Sequence, residues 1–200
     1  MKTFRLIGIA LMAVLMCANF SACGGSDEGS PEFIRTELII NEKTFMKHAW
    51  QCYVDNTPTD ACSTFWYGNY ESVNEKGNKV DIYDEYFYGE IEGELTDGTF
   101  CNIELDLEGM EMGESRKSLT PFKKTDLNLT KYSEYFRFGV RIDLGSFYSY
   151  ESGNIYVKSF TSDNLTLSFD SCTLKEDEKT ILLNGIINFK YIRAKIQDYY

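Results

Sequence analysis

Histidine is nearly absent from this sequence, and its scarcity limits the chemistry available. The 200 residues contain one histidine, His48, along with three prolines and two tryptophans. A Ser-His-Asp or Cys-His arrangement would have to use that single imidazole, and no G-x-S-x-G motif marks a serine nucleophile. A structural zinc site would need paired C-x-x-C spacing or more histidines. We therefore predict no catalytic residue, no metal site and no cofactor, and a protein that is not an enzyme.

Positive charge is also scarce. Lys and Arg number 20 against 31 Asp and Glu, which gives a formal net charge of -11 at pH 7. Such a surface repels the phosphates of nucleic acid, so we exclude a nucleic-acid partner. The carboxylates between Asp81 and Glu85 would suit calcium, although they follow no recognised loop pattern. Glu90, Glu92 and Glu94 alternate with Ile91 and Gly93, which favours a solvated sheet face over a catalytic carboxylate pair.

The apolar stretch from Leu6 to Met16 is too short for a transmembrane helix, which needs about 20 residues. It ends at small residues before Cys23, an arrangement typical of a lipoprotein signal peptide. Cys17 is the weaker candidate for lipidation because the bulky Met16 precedes it. We predict a signal peptide over residues 1–22, a lipidated flexible tether over 23–33 and a single domain over 34–200. The lipid on Cys23 would attach the chain to a membrane.

The tether carries the acidic tract Ser26-Asp27-Glu28 shortly after Cys23. In this respect the chain resembles the small β-rich surface lipoproteins of Bacteroidota, in which acidic residues after the lipidated cysteine are associated with display on the cell surface. The stretch from Ser152 to Tyr191 is similar to the C-terminal hairpins of these proteins. The resemblance implies an outer-membrane lipoprotein, displayed on the outer surface rather than facing the periplasm. It also implies a β-sandwich or a lipocalin-like barrel, with no catalytic motif.

Four cysteines remain in the predicted domain: Cys52, Cys62, Cys101 and Cys172. An even number of cysteines in an oxidising compartment favours disulfide pairing. Cys52 and Cys62 flank the turn-rich segment Asp55–Asp60, which would bring two neighbouring strands together. We predict a bridge between Cys52 and Cys62 and, by elimination, a second bridge between Cys101 and Cys172.

Apolar and polar residues alternate with a period of two, which is the pattern of half-buried strands. The clearest run includes Cys101, Ile103, Leu105 and Leu107, and Asp97-Gly98 before it is typical of a tight hairpin turn. The last such run is interrupted at Gly185. We predict an all-β fold, an antiparallel meander of about nine strands. The alternating residues are bulky, which favours a packed β-sandwich over a lipocalin-like (calycin-like) barrel.

Aromatic residues are abundant, with 14 Tyr, 14 Phe and 2 Trp. Cross-strand pairing explains many of them. Trp66, Tyr67 and Tyr70 differ, because aromatic groups there occur on both faces of one strand and one set must lie outside the core. We therefore predict that these three residues contribute to an exposed recognition surface. The expected function is a non-catalytic binding or adhesion module that engages glycan or protein. The alternative is a lipocalin-like carrier of a small apolar ligand, or a periplasmic accessory protein.

Overall fold

The computed structural model describes residues 36–48, 63–111, 117–143 and 145–196, and the backbone of 52–54 and 57–59. The predicted signal peptide, the tether and Cys23 lie outside the described residues. The Cys52 side chain and Cys62 also lie outside them, so that bridge stays a prediction. Nowhere in the described chain does a helix have the length and apolar character needed to cross a membrane.

The described chain contains fourteen strands, two short 3₁₀ helices and no α-helix. The 3₁₀ helices cover Thr120–Lys123 and Leu129–Tyr132. In chain order the strands are β1 (Glu37–Ile40), β2 (Lys43–Lys47), β3 (Cys52–Val54), β4 (Thr57–Thr59), β5 (Ser63–Val73), β6 (Lys79–Leu95), β7 (Phe100–Glu108), β8 (Met110–Glu111), β9 (Lys117–Ser118), β10 (Leu127–Asn128), β11 (Phe136–Ile142), β12 (Ser146–Phe160), β13 (Asn164–Glu176) and β14 (Lys179–Lys195). The all-β prediction is confirmed.

Ten strands belong to one sheet, in the order β1-β2-β6-β5-β14-β13-β12-β11-β7 with β10 beside β12. Strand β6 also pairs with β7, so the pairings run in a cycle from β7 through β6, β5, β14, β13, β12 and β11 back to β7. Within the described residues only β5 and β14 are parallel, and the other paired strands are antiparallel. The predicted antiparallel meander is therefore present, with one parallel pair that the sequence did not indicate.

Opposite parts of this sheet face each other across a filled core. The Phe160 ring on β12 lies edge-on to the rings of Phe65 on β5 and Phe87 on β6, with centroids 6.1 Å apart in both cases. The fit is tight at Gly89, where a β-carbon would lie 2.7 Å from the ring of Phe189. The core consists mainly of Phe, Leu and Ile side chains. Such close packing is consistent with the predicted sandwich.

A line of irregular backbone crosses β12, β13 and β14. Gly153, Ser171 and Gly185 have φ angles of +103°, +52° and +116°. The register between β12 and β13 shifts beside Gly153, and the register between β13 and β14 shifts beside Ser171. At Gly185 the backbone of β1 approaches so closely that a β-carbon would overlap the carbonyl oxygen of Glu37. The interruption predicted at Gly185 is thus a backbone distortion that lets β1 dock.

The structure does not join Cys101 to Cys172. Both residues are buried free thiols. Cys101 on β7 pairs across the sheet with Gly93 and Ile142, whereas Cys172 lies on β13, whose neighbours are β12 and β14. The Cys172 thiol donates a hydrogen bond to the Asn154 carbonyl oxygen at 3.0 Å. The predicted pairing rested on elimination, and a cysteine count carries no information about the distance between two side chains.

We expect both thiols to be unreactive in the folded protein. Burial raises the pKa of Cys101 to about 12 and that of Cys172 to about 11, so little nucleophilic thiolate forms at neutral pH. Iodoacetamide at pH 8 should label neither residue in native buffer and both in denaturant, as read by peptide mass mapping. A linked Cys101–Cys172 peptide recovered from denatured protein would contradict the structure.

The same pKa shifts predict a loss of stability at high pH. The folded state holds the thiol protons more tightly than the unfolded chain, in which the cysteines have a pKa of about 8.5. The stabilising contribution is therefore complete below about pH 8.5 and is lost as the pH rises through the folded pKa values. Urea titrations at pH 7 and pH 10 should show the lower free energy of unfolding at pH 10.

Candidate functional site

The three aromatic residues predicted to form a recognition surface lie on two different faces of β5. Phe65 is buried, and Tyr67 on the same face packs against the core. The guanidinium carbon of Arg193 lies 4.7 Å from the centroid of the Tyr67 ring. Alternation along the strand places Trp66 and Tyr70 on the outer face. The structure therefore separates Tyr67 from the other two.

Trp66 has aromatic neighbours on the adjacent strand. It stands directly opposite Tyr86 of β6, and Tyr88 follows two residues later, opposite Thr64. Because Phe87 between the two tyrosines is fully buried, Tyr86 and Tyr88 point outward with Trp66. All three side chains are half-buried. We refer to Trp66, Tyr86 and Tyr88 as the outer aromatic cluster.

Carboxylates on β6 and β7 orient the two tyrosines. The Tyr86 hydroxyl donates to Asp106 Oδ1 at 2.6 Å, and the Tyr88 hydroxyl donates to Glu90 Oε2 at 3.2 Å. Burial and the neighbouring carboxylates raise the pKa of both tyrosines, so their hydroxyls stay protonated and continue to donate. Asn102 Nδ2 donates to the other oxygen of Glu90 at 2.7 Å. The rings are thus held in fixed orientations before any ligand arrives.

A groove of about 470 Å³ is lined by residues of β7, β11 and β12, and β7 is the strand next to Tyr86 and Tyr88 of β6. Asp106, which accepts the Tyr86 hydrogen bond, forms part of its wall. At Gly139 a β-carbon would overlap the Phe147 ring, so this ring can lie against the backbone of β11 only because glycine is there. The groove is lined by Glu104, Asp106, Ser133, Phe136, Arg137, Phe138, Gly139, Phe147, Ser149 and Tyr150.

An arginine on β11 holds both a carboxylate and an aromatic ring beside this groove. The Arg141 guanidinium lies 5.3 Å from the centroid of Phe147, and its Nη2 atom lies 3.4 Å from Glu104 Oε1. Glu104 stands directly opposite Glu90 on the neighbouring strand. The surface therefore combines aromatic rings with carboxylate oxygens and guanidinium donors.

A second group of polar residues occurs where the chain covers the core between β6 and β12. We call residues 117–132 the cap segment; it contacts both strands and adds Leu119, Phe122 and Leu129 to the core. Glu85 on β6, only 7% exposed, anchors this segment. Its Oε2 atom accepts hydrogen bonds from the Leu119 backbone N–H at 2.6 Å and from the Ser118 hydroxyl at 3.1 Å.

The position of Glu85 bears on the calcium interpretation of the carboxylates near Asp81. Glu85 is turned inward, and its Oε1 atom accepts a hydrogen bond from the Tyr83 hydroxyl at 2.9 Å. Burial, followed by the bond to Glu85, raises the pKa of Tyr83 to about 12. Among the residues that the structure describes, no three His, Cys, Asp or Glu side chains converge to hold a metal ion. Glu85 therefore has a structural role, which no local sequence signal indicated.

His48 lies at the surface beside a carboxylate. Its Nε2 atom is 3.8 Å from Glu94 Oε2, and its ring centroid is 6.4 Å from that of Phe100.

No protein family, curated protein or solved structure matches this chain. The functional argument therefore depends on the geometry of the outer face and of the cap segment.

Proposed function

We propose that this protein is a non-catalytic binding module of the cell envelope, anchored to the membrane by a lipid on Cys23, that binds a glycan on its outer face. The observation that carries the proposal is the outer aromatic cluster, whose Tyr86 and Tyr88 rings are half-exposed and held by carboxylates beside a groove. The predicted outer-membrane location and cell-surface display belong to this proposal.

The chemistry of the outer face matches that of a sugar. Flat aromatic rings present apolar surface to the C–H faces of a pyranose, and their fixed orientation reduces the entropy lost on binding. The carboxylates and Arg137 along the groove provide acceptors and donors for sugar hydroxyls. A volume of about 470 Å³ lies in the range of about 300–1,000 Å³ that is usual for small-ligand sites.

The filled core favours surface binding over transport of an apolar ligand. A lipocalin-like carrier needs an open interior, but bulky side chains such as Phe87, Phe160 and Phe189 occupy the centre of this domain. Among the described residues, the rings of Phe87 and Phe189 meet edge-on with centroids 6.0 Å apart. We therefore place the ligand on the outer face.

The carboxylates of the outer face support binding rather than glycosidic cleavage. Glu90 and Glu104 stand opposite each other, and such a pair could in principle act on a glycosidic bond. Instead, Glu90 accepts a hydrogen bond from Asn102, and Glu104 forms an ion pair with Arg141. Each carboxylate therefore has a structural partner on the sheet.

A glycan array followed by titration calorimetry with the full chain tests the proposal. We expect Trp66→Ala and Tyr88→Ala each to weaken binding of an array hit by about tenfold, equivalent to about 1.4 kcal/mol, because each removes a ring from the contact surface. Tyr67→Ala should change the affinity little, since Tyr67 packs on the core side of β5.

Tyr156→Ala is the matched control, because Tyr156 is a half-buried residue on the outer face of β12. Circular dichroism and thermal unfolding would confirm that every variant is folded. If Trp66→Ala and Tyr88→Ala bind as tightly as Tyr156→Ala, the outer aromatic cluster is not the binding site.

A further inference from the structure

Two cations lie over the aromatic side chains at the cap segment. Lys123 Nζ is 5.5 Å from the centroid of Phe65 and 5.7 Å from that of Phe160. The guanidinium carbon of Arg193 is 5.0 Å from the centroid of Phe65 and 4.7 Å from that of Tyr67. Because both cations lie near the same Phe65 ring, their separation cannot exceed the sum of their distances to it.

These two cations have no ion-pair partner in the described part of the chain. Neither Lys123 nor Arg193 forms an ion pair with any residue that the structure describes, and the same is true of several other surface lysines such as Lys124. Both side chains are exposed. This pair of like charges is unexpected in a protein with a net charge of -11, and an anion between them would relieve their repulsion.

The rest of the fold fixes the backbone from which both cations project. The parallel pairing of β14 with β5 sets Arg193 directly opposite Phe65. Lys123 ends the 3₁₀ helix that follows Leu119, and the backbone of Leu119 is bound by the buried carboxylate of Glu85. The oxygens of Glu85 already accept hydrogen bonds inside the cap segment, and Glu85 makes no ion pair with Arg193. The fold thus holds the two side chains on one surface before a ligand binds.

We propose that Lys123 and Arg193 form a second binding site, which takes the carboxylate or sulfate group of an acidic saccharide. A guanidinium binds planar carboxylates through paired hydrogen bonds, and an ammonium adds a strong point charge. The part of the Tyr67 side chain that stays accessible beside Arg193 offers apolar surface to the sugar that carries the anion. A saccharide is favoured over an anionic membrane because bilayer attraction needs a larger cluster of Lys and Arg, and the net charge of -11 opposes it.

Calorimetry with the full chain at 50 mM and 300 mM NaCl tests this site. The acidic probes are a hyaluronan tetrasaccharide for carboxylate and a chondroitin sulfate tetrasaccharide for sulfate, with maltotetraose as a neutral probe. We expect at least one acidic probe to bind, and its affinity to fall at the higher salt concentration. The double variant Lys123→Gln with Arg193→Gln should weaken that binding at least tenfold.

The control is the double variant Lys158→Gln with Lys175→Gln, which removes the same charge from ion-paired positions. It should bind within twofold of the wild type. Because Arg193 covers two aromatic rings, Lys123→Gln alone provides a milder test and should still weaken binding several-fold. Equal losses in the two double variants would overturn the proposal, as would a failure of both acidic probes to bind.

The outcomes also separate this site from the outer aromatic cluster. Tyr88→Ala should leave binding of the acidic probe unchanged, whereas the Lys123 and Arg193 variants should leave binding of a neutral glycan unchanged. Binding to phosphatidylglycerol vesicles without binding to either acidic tetrasaccharide would identify a membrane contact instead, and would overturn the saccharide assignment.

Discussion

Gly185→Ala should lower the free energy of unfolding by about 3–5 kcal/mol. Backbone strain and steric overlap both destabilise an alanine at this position. The φ angle of +116° is one that residues with a β-carbon rarely adopt, and the added methyl group would overlap the backbone oxygen of Glu37. The oxygen belongs to the main chain of β1 and cannot rotate away, so either β1 separates from β14 or the distortion in β14 is lost. Urea denaturation followed by fluorescence measures the change.

Gly98→Ala separates backbone strain from steric overlap. Gly98 has a φ of +82°, but nothing lies within 4 Å of a β-carbon built there. The free energy of unfolding of this variant should therefore fall by about 1 kcal/mol, from the strained φ angle alone. If the two variants lose the same stability, the close approach of β1 to Gly185 does not contribute, and the described pairing of Leu38 with Gly185 would be in doubt.

Glu85→Ala should destabilise the protein by about 3 kcal/mol, because the substitution leaves the buried N–H of Leu119 without an acceptor and frees the cap segment. Hydrogen exchange should report the same change locally, with faster exchange of the Leu119 amide. Glu85→Gln retains an acceptor oxygen and should lose less stability than Glu85→Ala. Chemical denaturation gives the global value for each variant.

Glu178→Ala provides the comparison for Glu85, since Glu178 is exposed in the turn between β13 and β14. Its loss should stay within about 0.5 kcal/mol, as for most surface substitutions. A loss for Glu85→Ala no larger than this would mean that the cap segment is held by its apolar residues alone.

Local patterns predicted the elements of this fold well. Cys101, Ile103, Leu105 and Leu107 alternate in the sequence, and all four are fully buried in the structure. Gly98 has the positive φ angle expected of the predicted hairpin turn. Period-two alternation and turn chemistry depend on a few adjacent residues, so they can be read without knowledge of the rest of the chain.

Features that depend on distant residues were missed. The placement of Trp66 opposite Tyr86 depends on the register of the β5–β6 hairpin, and that register decides which aromatic residues form a cluster. The hydrogen bond from Leu119 to Glu85 spans 34 positions of the chain. No local pattern contains such information, and for the same reason the cysteine count could not show whether the strands that carry Cys101 and Cys172 lie next to each other.

The pairings of β14 determine the order in which the domain can assemble. This last strand pairs with β1, β5 and β13, so the segments joined by it come from both extremes of the described chain. A chain emerging from the ribosome can form early hairpins such as β5–β6, but it cannot complete the cycle of strands until β14 is available. If the predicted signal peptide directs export before folding, late pairing of β14 would keep the polypeptide open during passage through the membrane.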